Sequence, residues 1–103
     1  MKPWVIKLGG EVLDNPSALG AFGSDMAALH RSGRPIVIVH GGGAQTTSLM
    51  RQLALEPNFV GGRRVTDAAT LDTVKMAIAG KVSVDLCAVL SSVGLPALGL
   101  NGV

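Results

Sequence analysis

Pro35-Ile36-Val37-Ile38-Val39-His40-Gly41-Gly42-Gly43 is the stretch that decides the fold. Ile36 to Val39 are four β-branched apolar residues in succession, so both faces of the strand they form are apolar. That pattern suits a central parallel strand covered by helices on both sides. Three glycines end the run and an amphipathic segment follows. Strand, glycine turn and helix, in that order, bring bare backbone N–H groups to a helix N-terminus, a place that attracts phosphate or carboxylate oxygens. Glycine serves there because a Cβ would hold a ligand off and forbid positive φ. The plainer alternative is a tight turn with no ligand.

Upstream, Trp4 to Leu8 is a short apolar run interrupted by Lys7 and followed by Gly9-Gly10. It reads as a buried strand ending in a second glycine turn. A lysine inside a buried strand is costly unless its ammonium finds an anion. Lys7 is therefore either a strand-end lysine reaching back to water or a phosphate-facing cation beside two glycine N–H groups. Asn15-Pro16 predicts a helix start, with Asn15 as the cap and Pro16 at the first helical position. Leu19, Phe22, Met26 and Leu29 then repeat at helical spacing as a core stripe. Gly33 stops that helix, and Arg34-Pro35 leads into the central strand.

Downstream, Ala44 to about Ala54 predicts a helix with Leu49 and Leu53 inward and a polar first turn of Thr46, Thr47 and Ser48. Glu56-Pro57-Asn58 ends it. Phe59-Val60-Gly61-Gly62-Arg63-Arg64 predicts a hairpin around Gly-Gly. An arginine fork is well shaped to grip a carboxylate at two points, although two adjacent arginines are also the ordinary furniture of a solvated surface. Thr66 or Asp67 caps the next helix, in which Leu71, Val74, Ile78, Val82, Leu86 and Val89 run down one face as far as Ser91 or Ser92. Gly80 is placed to bend or divide it. A second apolar side suits either burial against another subunit or packing across the sheet. After Gly94-Leu95-Pro96, Ala97 to Leu100 predicts another short buried strand. The whole reads as a three-layer α/β/α sandwich with a mostly parallel sheet, its glycine turns gathered at the carboxyl ends of the strands.

The bulk numbers narrow the function. At 103 residues the chain is one domain. Hydrophobic residues reach 48% against 16% charged, which points to apolar surface meant to be covered by something else. No run of 18 uninterrupted apolar residues offers a membrane span. The net charge of +2 comes from scattered lysines and arginines, so no nucleic-acid footprint is present. Aromatics at 3%, with no tyrosine, argue against base stacking. Cys87 is alone, which excludes an internal disulfide and fits a reducing compartment. The first residues lack the apolar stretch of a signal peptide, so the expected location is cytoplasmic. His30 and His40 are not at ligand spacing with any cysteine or carboxylate, and no protein metal site is expected.

Four blocks together carry a resemblance: Val5-Ile6-Lys7-Leu8-Gly9-Gly10, Ile38-Val39-His40-Gly41-Gly42-Gly43, Gly62-Arg63-Arg64-Val65-Thr66-Asp67, and Gly80-Lys81-Val82 with Gly99-Leu100-Asn101-Gly102. In order and spacing the chain resembles the amino-acid kinase family, and within it the acetylglutamate kinases of arginine biosynthesis. The first two blocks are shared across the wider family. The Arg-Val-Thr block points to the acetylglutamate branch or to its aminoadipate relatives in lysine biosynthesis. Family members are much longer. The resemblance therefore implies that residues 1–103 are the amino-terminal, acyl-amino-acid-binding part, with the nucleotide-binding part and a second catalytic lysine lying outside this sequence.

Carried over by position, the resemblance makes Lys7 the lysine that stabilises the phosphoryl group in flight. Gly9 and Gly10 become the turn near the transferred phosphate. Gly42 and Gly43 become the turn whose N–H groups hold substrate, and Arg64 the arginine on the α-carboxylate of N-acetyl-L-glutamate. Ser83 stands where many relatives have asparagine, and Arg63 where leucine is common. The implied co-substrate is ATP with Mg²⁺, bound mainly outside this segment, and a homo-oligomer is expected. The rival reading is a non-catalytic module that folds, self-associates or binds an acidic ligand.

Overall fold

A computed structural model describes all residues, 1–103. The elements run β1 (Trp4–Leu8), α1 (Gly10–Leu13), α2 (Pro16–Arg31), β2 (Ile36–His40), α3 (Gly43–Gln52), β3 (Phe59–Val60), β4 (Arg63–Arg64), α4 (Ala68–Val74), a π-helical stretch (Lys75–Val82) and α5 (Ser83–Ser92). β1 and β2 pair in parallel, with Lys7 opposite Val39 and Leu8 opposite His40. The chain is thus α/β with parallel main strands, as the β-branched run of β2 implied.

The core forms on one face of this pair. Leu8, Leu19, Met26, Leu86 and Leu90 are buried together, with Ile6, Ile36 and Ile38 packed against them from the sheet. The start of α2 follows the expected chemistry: Asn15 Oδ1 accepts from the Ala18 N–H at 3.1 Å, and Pro16 opens the helix. Leu19 and Met26 face inward as their spacing implied, and Phe22 and Leu29 pack beside them.

The other face of the sheet is open. Val5 is 68% exposed and Val37 49%, and Val39 and Lys7 share that surface. The expectation that β2 is covered on both sides is therefore corrected: these residues supply the sheet and helices on one face only. All of the helical core contacts come from the Leu8 side, so alternate β-branched residues of β2 meet solvent. Lys7 is accordingly exposed and not buried.

The expected strand Ala97–Leu100 is also corrected. Gly94, at φ +81°, turns the chain after α5, and the Leu95 N–H returns to the Leu90 carbonyl at 3.0 Å. Beyond Pro96 the backbone makes no ladder with β2. It stands off the sheet across a cavity of about 380 Å³ lined by Ile36, Ile38, Leu86 and Leu95 among others. Leu98 and Leu100 are 82% and 81% exposed. A strand buried on both faces needs cover on both, and nothing here covers the Leu98 side.

α3 begins one residue earlier than expected, at Gly43, and its inward stripe differs from the expected one. Thr46 and Met50 are buried, Leu49 is half-buried and Leu53 is exposed. The helix ends on Ala54 in the left-handed region at φ 57°, with the Leu55 N–H on the Met50 carbonyl at 2.8 Å. A Cβ is strained there, whereas glycine is not. Ala54→Gly is expected to raise unfolding free energy by about 1 kcal/mol, read as a shift in urea midpoint at unchanged slope.

The long C-terminal helix is divided, as Gly80 suggested, by an eight-residue π-helical stretch. The buried residues are Thr70, Thr73 and Ala77, then Val82, Leu86 and Leu90. The five-residue step from Ala77 to Val82 is the extra residue of the wider turn. A count at constant helical spacing cannot see it and puts Leu71 inward, whereas Leu71 is 45% exposed. Asp67 caps this helix, accepting from the Thr70 N–H at 2.8 Å. That backbone hydrogen bond, and one from the Thr70 side chain, hold the Asp67 carboxyl below its ordinary value of 3.8. A depressed pKa gives stability that is present above the unfolded value and lost as pH falls through the folded one. The Thr70 amide is therefore expected to keep its exchange protection at neutral pH and lose it only below about pH 3.8. Asp67→Asn should flatten that profile.

Candidate functional site

The carboxyl ends of β1 and β2 lie side by side because Leu8 pairs with His40. Gly9-Gly10 and Gly41-Gly42-Gly43 therefore leave the sheet at the same edge, and each leads into a helix. Gln45, in the first turn of α3, ties the two helices together: its Nε2 donates to Asp14 Oδ1 at 2.6 Å, just past α1. The Thr46 N–H and hydroxyl both donate to the Gly42 carbonyl at 2.8 Å, which locks the first turn of α3 onto the glycine. The N–H groups of Gly43, Ala44 and Gln45 have no acceptor within the helix, as in any helix's first turn.

None of Gly41, Gly42 and Gly43 lies in the left-handed region; the glycines that do are Gly33, Gly61, Gly62 and Gly94. The reason for glycine at 42 is instead a close approach. A Cβ on Gly42 would come within 2.8 Å of Ile78 Cγ1 and 3.4 Å of Val82 Cγ2. A Cβ on Gly9, Gly10, Gly41 or Gly43 would meet nothing within 4 Å, so the space beside these four is open.

Arg64 is brought to this edge by the hairpin. Gly61 and Gly62, at φ 58° and 77°, make the two-residue turn that twists β3 and β4 together, so the expected hairpin is present. Arg64 Nη2 donates to the Gly43 carbonyl and to Thr47 Oγ1, both at 2.9 Å, and Nη1 lies 3.3 Å from Met50 Sδ. The guanidinium also stacks over the Phe59 ring, 4.7 Å from its centroid. Arg64 is half-buried, whereas Arg63 is exposed. Of the five N–H donors of Arg64, two remain uncommitted. Thr47, Met50 and Phe59 hold this side chain. Only Thr47 carried a sequence signal, through the polar first turn of α3.

Lys7 sits at the end of β1 on the open face, next to Val39. The ion pairs are Lys75–Asp72 and Lys81–Asp85, both on the surface, so Lys7 carries its charge without a partner. Arg64 is thus bonded to Gly43, Gly9 and Gly10 leave the sheet at the same edge, and Lys7 lies on the uncovered face opposite Val39. No group of three metal-ligating side chains stands together, and no helix is long and apolar enough to cross a membrane.

A parallel β-α-β frame with glycine turns at the carboxyl ends of its strands defines an α/β protein of the kind that binds ligands at that edge. The chain belongs to the amino acid kinase family, whose profile matches residues 2–103. It is 54% identical over 100 residues to the acetylglutamate kinase of Sorangium cellulosum (strain So ce56), covering 97% of this chain and 35% of that protein. It is 45% identical over 102 residues to the acetylglutamate kinase of Anaeromyxobacter dehalogenans (strain 2CP-C), covering 99% of this chain and 37% of that one. The chain therefore spans little more than a third of the length of these relatives. Among solved structures it superposes on smu.665 from Streptococcus mutans UA159 with a TM-score of 0.81 at 31% identity, covering 91% of this chain and 38% of that one. An N-acetylglutamate synthase from Neisseria gonorrhoeae, complexed with coenzyme A and N-acetyl-glutamate, superposes with a TM-score of 0.72 at 26% identity, over 91% of this chain and 22% of that one.

Proposed function

We propose that this chain is the acyl-amino-acid-holding part of an enzyme that phosphorylates the side-chain carboxylate of N-acetyl-L-glutamate at the expense of ATP. The observation that carries the reading is the Arg64 guanidinium fixed against Gly43 at the start of α3, with donors to spare. The names of the relatives support the substrate. In the proposed reaction a carboxylate oxygen attacks the γ-phosphorus, the bond to the β,γ-bridging oxygen breaks, and ADP leaves. Such a transfer asks the protein chiefly for alignment and for cations and N–H donors around the spreading charge. Arg64 would hold the α-carboxylate, the amides of Gly42 and Gly43 the reacting carboxylate, and Lys7 with the Gly9-Gly10 turn the phosphoryl oxygens. Mg²⁺ would arrive with the nucleotide and take no ligand from this segment. Residues that hold the adenine nucleotide would lie outside these 103.

The test is an amide NMR titration of the chain with N-acetyl-L-glutamate. Shifts at Gly42, Gly43 and Arg64 support the reading, and a dispersed spectrum that does not move refutes substrate holding by this segment alone. A second reading is favoured by the synthase superposition: the same frame serves a protein named for another reaction, so these residues would bind an acidic ligand without turnover. ATP-dependent phosphorylation by the pure chain would overturn it. Equal response to an N-acetyl-aminoadipate-type ligand would move the substrate assignment. Self-association is part of the proposal, since Val5, Val37 and Val39 leave one sheet face apolar and uncovered. A mass that grows with concentration in sedimentation would support it.

A further inference from the structure

Gly42 and Gly43 are neighbours in sequence with opposite surroundings. Gly43 faces open space, whereas Gly42 is buried against Ile78 and Val82. Both of those side chains belong to the π-helical stretch. Had the helix stayed regular beyond buried Ala77, the next core-facing position would be Lys81. The extra residue of the π turn puts Val82 there instead, and sends Lys81 to the surface, where it pairs with Asp85. The Gly42 carbonyl is meanwhile held by Thr46 on the α3 side. A peptide is planar and trans, so fixing the Gly42 carbonyl fixes the opposite direction of the Gly43 N–H.

We propose that Ile78 is a positioning residue: its contact with Gly42, enforced by the π-helical stretch, sets the aim of the Gly43 amide without touching the ligand. The glycine at 42 then answers to Ile78, and only the one at 43 answers to the ligand. The proposal rests on the reading of Gly43 as the ligand-facing amide, and its test separates the two.

The measurement uses the whole chain and two readouts: the ligand-free amide resonance of Gly43, and the apparent Kd for N-acetyl-L-glutamate. Ile78→Ala should move the Gly43 resonance and weaken binding about tenfold, as expected for a small misplacement of a donor. Ile78→Val, which keeps the γ-carbon, should stay near wild type. Val89→Ala is the control: Val89 lies on α5 and packs against Gly23, away from the turn, so neither readout should change. Gly42→Ala should disturb both readouts, and adding Ile78→Ala should return binding to within about threefold of wild type by removing the clash.

An unmoved Gly43 resonance in Ile78→Ala would overturn the proposal. So would a folded double variant as impaired as Gly42→Ala alone. If the wild-type chain does not bind N-acetyl-L-glutamate, the functional reading fails, while the ligand-free resonances still decide the role of Ile78. If Gly42→Ala does not fold, the comparison of Ile78→Ala with Val89→Ala decides it.

Discussion

Arg64→Ala is expected to weaken binding of N-acetyl-L-glutamate by about 1.5–3 kcal/mol, the range for a hydrogen bond to a charged group, which is roughly 10- to 150-fold in Kd. The guanidinium is already in place before any ligand arrives. Gly43, Thr47, Met50 and Phe59 fix its plane, so little side-chain entropy remains to be lost on binding. Arg64→Lys should recover only a small part of the loss, because a single ammonium cannot reach Gly43 and Thr47 while presenting a flat pair of donors to a carboxylate. Arg63→Ala is the matched control, one residue away and exposed, and should leave the titration unchanged.

The same substitution has a structural consequence that must be read separately. Arg64 is the bond between the hairpin and α3, so Arg64→Ala should also free the hairpin. The Val65 N–H, which donates to the Asn58 carbonyl at 2.8 Å, would then exchange faster. The β1–β2 amides, which do not depend on Arg64, should keep their protection. Loss of binding with an intact main sheet would place the effect at the site. Loss of protection throughout would make Arg64 a fold residue first.

How much of this was legible in the sequence depends on whether the cause was local. The β-α-β frame was, because a β-branched run, a capping asparagine before proline and paired glycines each act through their own backbone. Asn15 caps α2 and Gly61-Gly62 turns the hairpin for those reasons. The glycine turns and Arg64 were found as residue types, and the direct bond between Arg64 and Gly43 follows from hairpin docking that no spacing encodes. What failed was non-local. Ile36–Val39 look the same in sequence whether or not the chain at hand supplies the second covering layer, so the open face carrying Val37, Val39 and Lys7 could not be read. Ala97–Leu100 has strand composition, but pairing requires a partner and cover. The reason for glycine at 42 lies 36 positions away at Ile78.

The second large effect separates the two phases of the C-terminal helix. Leu86→Ala is expected to cost about 2–5 kcal/mol, and Leu71→Ala to stay within about 0.5 kcal/mol of wild type. At constant helical spacing both leucines belong to one inward stripe, and their truncations would cost alike. The π-helical stretch breaks that equivalence: Leu86 is 4% exposed within the cluster formed with Leu8, Leu19, Met26 and Leu90, whereas Leu71 lies nearly half in solvent. The core is small and serves one face of a two-stranded sheet, so collapse around the cavity left by Leu86 would have to move Leu8 or Leu19, on β1 and α2. For a domain whose whole stability is about 5–15 kcal/mol, the Leu86 loss removes a large fraction, and the variant should melt many degrees lower. Urea unfolding of the two variants decides the matter. Equal losses would mean that the long helix runs at regular spacing, and the π-helical stretch would then not be what enforces the contact of Ile78 with Gly42.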